Sequence, residues 1–150
     1  NYPVVKKIRE MLYAKGKGNG DEKLVGEVLY NRALVNAAYT VEAIRGAVKA
    51  NGGKRPNGEE VRDAFEALEI TEARATELGM GGLLPPVKVT CMDHEGGNPG
   101  IKIQQWDGSA FKIVEEWVPA MSDLVRPLVE KDAAAYMAEK GLKARGALFL

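Results

Sequence analysis

The chain has 150 residues, 45% of them apolar and 28% charged, which suits one ordinary globular domain, or two small ones, with a core to bury. Lys plus Arg and Asp plus Glu both number 21, so the net charge is zero. That balance excludes the basic excess of a nucleic-acid binder or a polybasic membrane-surface module. No apolar run approaches the roughly 20 residues of a membrane span. The single cysteine, Cys91, excludes a disulfide within the chain. Asn1-Tyr2-Pro3 has none of the features of a secretory signal, so an exported protein would carry its signal outside these residues.

In chain order, Pro3 suits a first helical position, and Val4, Val5, Ile8, Met11 and Leu12 recur at helical spacing. Lys15 to Gly20 holds three glycines among polar residues and reads as a surface loop. It lacks the Gly-Lys-Ser/Thr ending of a phosphate-binding loop. The longest periodic stretch runs from Val28 to Ala50, with an apolar stripe of Leu34, Val35, Ala38, Val41, Ile44 and Val48, and Glu42, Arg45 and Lys49 elsewhere on its surface. Asn51-Gly52-Gly53 stops it. Asn57 and Glu60 have capping-box spacing ahead of a helix carrying Val61, Ala64, Phe65 and Leu68, and Thr71 caps a further turn ending at Gly79.

Beyond Pro85-Pro86 the period changes to alternation. Val87–Cys91 reads as a strand. Ile101–Trp106 and Phe111–Val114 read as a hairpin turning at Asp107-Gly108. A last helix begins near Ser122, read as a cap, or Pro127, and carries Leu128, Ala135, Tyr136 and Ala138 before Gly141.

Chemistry-bearing clusters are few. Cys91-Met92-Asp93-His94-Glu95 holds the only histidine and cysteine, but in an extended chain Cys91 and Asp93 face away from His94. No second Cys or His completes a tetrahedral shell, and the thiol and imidazole cannot meet as a nucleophilic pair. The expectation is therefore a structural role, with no catalytic residue, metal or cofactor. Tyr30-Asn31-Arg32 sits at the start of the long helix, where free amides and the helix dipole favour an anion. A phenol, an amide and a guanidinium there make the candidate ligand-binding set, suited to a small carboxylate.

Several stretches in order resemble one family. Val25 to Ala37, Val41 to Arg45, Val61 to Glu66, Cys91 to Gly96 and Gln105 to Gly108 are similar to the C-terminal part of type I periplasmic solute-binding proteins of ABC transporters, the branched-chain amino-acid and aromatic-acid group. The resemblance implies an α/β chain forming part of a two-lobed fold, helices packed on a sheet, with a C-terminal hairpin and helix. It places residues 1–92 in the first lobe, and 93–150 in the last hinge crossing and second lobe. It further implies a non-enzymatic, periplasmic component that binds an amino acid or organic acid through Tyr30, Asn31 and Arg32 and engages the transporter's membrane subunits. A ligand-sensing or protein-interaction domain of the same fold is the alternative. A complete family member is more than twice as long, so the apolar stripe and strand edges of this chain lead to an expectation of self-association.

Overall fold

In a computed structural model, residues 2–90 and 100–143 are described, and the chain divides into two compact units, Asn1–Gly97 and Asn98–Leu150. The predicted Cys91–Glu95 cluster, the end of the Val87–Cys91 strand and the tail from residue 144 lie outside the described residues.

The first unit opens with α1 (Pro3–Met11), which has a proline in its first turn, where a missing N–H costs no helical bond. A turn of 3-10 helix, Tyr13–Lys15, follows and ends at Gly16 with φ of 65°. The long helix α2 spans Val28–Ala50 as predicted, and Gly53 N–H closes its end on the Val48 carbonyl at 2.8 Å. At α3 (Gly58–Glu66) the capping box is complete. Asn57 Oδ1 accepts from Glu60 N–H at 2.9 Å, and Glu60 Oε2 accepts from Asn57 N–H at 2.7 Å. Thr71 accepts from Arg74 N–H and starts α4 (Glu72–Glu77).

Two short strands complete this unit. β1 (Glu69–Ile70) pairs antiparallel with β2 (Val87–Lys88), and Val89 N–H donates to the Leu68 carbonyl at 2.8 Å. Two residues are too short for an alternation to register, which is why β1 was not foreseen. Their apolar members enter the core. Leu68, Ile70, Ala75, Met80 and Leu84 pack with Ala43 of α2, while Leu34, Val35, Ala38 and Tyr39 close over them.

That packing corrects the predicted stripe. Ala43 and Ala47 are the buried residues of α2, whereas Val41 and Ile44 are 45% and 39% exposed. Small side chains let α2 approach its neighbours, and the larger aliphatics flank that contact.

The second unit contains β3 (Ile101–Trp106), β4 (Phe111–Val118) and α5 (Ser122–Lys140). The hairpin is present, and β4 runs four residues past its predicted end. Its turn is longer than Asp107-Gly108 alone. Asp107 Oδ1 accepts from the amides of Ser109 and Ala110, both at 2.9 Å, and Asp107 N–H donates to the Ala110 carbonyl. Pairing shifts register on either side of Ile103, next to Trp117, which has φ of 36°. Lys102 Nζ lies 4.6 Å from the Trp117 ring centre and 2.5 Å from Glu116. In α5, Pro127 lies inside the helix and Ser122 is its first residue. The cap is Met121, which contributes no side-chain bond, so the cap assigned to Ser122 is not formed.

Candidate functional site

The region around Tyr30 is built by two side chains that grip one turn. Arg9 Nη2, from α1, donates to the Val25 carbonyl at 2.6 Å, and Asn31 Nδ2 donates to the Gly26 carbonyl at 2.8 Å. Val25 is 2% exposed and anchors the turn in the unit's interior. Gly26 has φ of 96°, a conformation that suits glycine, and a Cβ there would meet buried Val5 at 3.2 Å. The Arg9 contact spans 16 residues, a separation that no local pattern reveals.

The turn delivers the chain into α2 with Glu27 at the N-cap, and Glu27 makes no side-chain capping bond. Asn31 N–H bonds the Glu27 carbonyl at 2.9 Å and begins the helical ladder. The amides of the preceding turn are helix-terminal donors at the positive end of the dipole. Tyr30 is half-buried, and burial, then the neighbouring Tyr13 phenol, raises its pKa above the ordinary value. Tyr13 in turn donates its hydroxyl to the Asn19 carbonyl at 2.8 Å, and Gly18 lies against its ring. The glycine-rich loop is thus held by Tyr13, which lies near this end of α2.

The three predicted ligand residues do not share one role. They occupy consecutive positions within α2, so their side chains leave the axis about 100° apart. Asn31 is committed to the turn, with its Oδ1 buried and without a partner; Tyr30 is half-buried near Tyr13; Arg32 is exposed. The geometry provides hydrogen-bond donors near Tyr30 and does not bring Arg32 onto them.

A concavity of about 470 Å³ lies where α2 meets α3 and is floored by Gly46, Ala47, Ala50 and Ala64. Its polar groups are already engaged. Glu60 accepts from Asn57 and from Asn51 Nδ2, and Asp63 pairs with Arg62 at 2.7 Å. Among the described residues no group of three His, Cys, Asp or Glu side chains converges as a metal site would. Among the same residues no helix is long and apolar enough to cross a membrane.

No protein-family model matches the chain, and no curated protein does. A solved structure does match: the crystal structure of an ABC transporter permease from the Pseudomonas fluorescens group, 43% identical, with a TM-score of 0.86 over 97% of this chain. The chain spans 35% of that protein's length. The likeness supports the transporter part of the sequence-based expectation and overturns the solute-binding role. The matched protein is a permease, which contradicts the role of a solute-binding component.

The physical reason for the misreading is visible in the residues that carried it. The Val25-Gly26 turn, the first turns of α2 and the α3 helix are occupied with packing, capping and internal hydrogen bonds. Such residues serve the fold and by themselves carry no information about function.

Proposed function

We propose that this chain is a section of an ABC transporter component and contributes to moving a solute across a membrane in association with the transporter's other subunits. The observation that carries this reading is the 43% identity, maintained over 97% of the chain with closely similar geometry, to a transporter permease. Extending the reading to the whole protein is part of the proposal, because the chain spans 35% of the relative. The expected membership of a larger two-lobed α/β fold is carried as part of this proposal.

The test uses the complete gene product isolated from membranes through an affinity tag. The expected result is co-isolation of an ATP-hydrolysing subunit, recognised by ATPase activity in the purified fraction, together with loss of ATP-driven uptake of one solute class when the gene is deleted. A product free of ATPase activity, in cells whose uptake is unchanged by the deletion, overturns the proposal.

A further inference from the structure

Helix α5 presents an apolar stripe that the described residues of its own unit leave exposed. Leu124, Val125, Leu128 and Val129 are 65%, 52%, 63% and 50% exposed. At about 100° per residue they fall within an arc of about 140°, while Asp123, Arg126 and Glu130 take the opposite side. The hairpin offers no shelter of the usual kind: Ile101, Trp106 and Phe111 are themselves more than half exposed. Among the described residues of this unit no side chain is fully buried. A two-stranded hairpin and one helix without a core do not hold a fold by themselves.

We infer that the α5 stripe is a docking face for the same polypeptide in a longer protein, covered by an uncharged apolar surface from chain outside these 150 residues. Two observations select that occupant. The matched protein is about three times as long, and it holds the region equivalent to this chain in closely similar geometry, so about two-thirds of its length is available to cover such a face. The polar side of α5 also argues against a lipid surface. The helix carries three basic and four acidic side chains, without the cationic excess that binds anionic headgroups. This inference uses the length and geometry of the same match that supports the transporter reading, and it does not require that the protein transport anything.

Amide hydrogen exchange of Ser122–Lys140, measured on the complete gene product and on the 150-residue chain diluted until it is monomeric, is the test. The expected result is exchange at least about 100-fold slower in the complete product. The double substitution Leu124→Lys and Leu128→Lys removes the difference there, while Lys131→Gln leaves it. Where the double variant fails to fold, the comparison of the two unsubstituted polypeptides decides alone. Equal exchange in both overturns the inference, as does a gene product no longer than this chain. Protection that vanishes on dilution as a dimer dissociates assigns the face to a second copy, and protection gained only with phospholipid vesicles assigns it to a membrane; either result also overturns it.

Discussion

Glu42 of α2 and Arg74 of α4, 32 residues apart in sequence, form a two-pronged ion pair. Arg74 Nε lies 2.8 Å from Glu42 Oε2, and Nη2 lies 3.0 Å from Oε1. Arg45 reaches the same carboxylate from one turn along α2, and Arg74 also pairs with Glu77 at 2.8 Å. The Glu42 side chain is only 12% exposed, so the pair ties two elements together more closely than a surface bridge does. The sequence reading placed Glu42 and Arg45 on a solvated surface, because a partner on another element leaves no local trace.

The hydrogen bond from Arg74 holds the Glu42 carboxyl below its ordinary pKa; burial opposes this, and Arg45 assists. A carboxylate depressed in the folded state contributes stability above its unfolded value, near 4.3, and that contribution is lost as pH falls through the folded value. Glu42→Gln is expected to cost about 1 kcal/mol at pH 7, after allowance for screening at the more exposed guanidinium. The cost is expected to shrink below pH 4. Urea melts of both proteins between pH 3 and 7 check this; a constant difference across that range refutes the assignment.

A second prediction concerns the turn that feeds α2. Gly26→Ala places a Cβ at a φ of 96° and 3.2 Å from Val5, which has little room to yield. The expected loss is about 1–3 kcal/mol, seen as a lower urea midpoint with an unchanged slope. Gly52→Ala, whose Cβ meets nothing within 4 Å, shares only the backbone strain and is expected to lose less. Equal losses would show that contact with Val5 contributes nothing.

Local signals in the sequence were read well where the physics is local. The α2 span, the Asn57–Glu60 box, the Thr71 cap and the β3–β4 hairpin depend on residues within a turn or two of each other, and all are present, although α3 stops at Glu66 and leaves Leu68 outside the helix expected to carry it. What escaped notice joins distant residues: β1 against β2, Arg9 on the Val25 carbonyl, Tyr13 beside Tyr30. The candidate site shows the same division. The position of Tyr30, Asn31 and Arg32 near a helix start is legible in the sequence, and their divergence follows from it. That consecutive helical side chains radiate is a local rule, so the sequence already held that signal.

The third prediction returns to the hairpin turn. Asp107 accepts from Lys112 Nζ, from the Ala110 and Ser109 amides and from the Ser109 hydroxyl, and these together hold its carboxyl well below the usual range. The stabilisation is present above the ordinary carboxylate pKa and is lost only as pH falls through the depressed value. Asp107→Asn retains an acceptor and loses the charge; Asp107→Ala loses both. Faster amide exchange in β3 and β4, greater for the alanine variant than for the asparagine variant, is the expected result. Equal exchange in wild type and Asp107→Ala at pH 7 would show that the turn is held by strand pairing alone.

The final prediction concerns the 150-residue chain by itself. Its second unit leaves Leu124 and Leu128 of α5 exposed, together with Trp106 and Phe111, whose rings meet at 5.2 Å at the end of the hairpin. Each large aliphatic or aromatic side chain kept in water forgoes about 1.5–3 kcal/mol relative to full burial. Separated from any covering chain, such surfaces associate with whatever apolar surface is at hand, and at high concentration that is another copy. The chain is therefore expected to show a light-scattering mass above 16.3 kDa that rises with concentration. Leu124→Lys with Leu128→Lys is expected to return it toward the monomer, whereas Val41→Lys, on the first unit, leaves the association in place. A monomeric mass at every concentration would show that these faces do not drive association, and equal effects from the two substitutions would locate the contact outside α5.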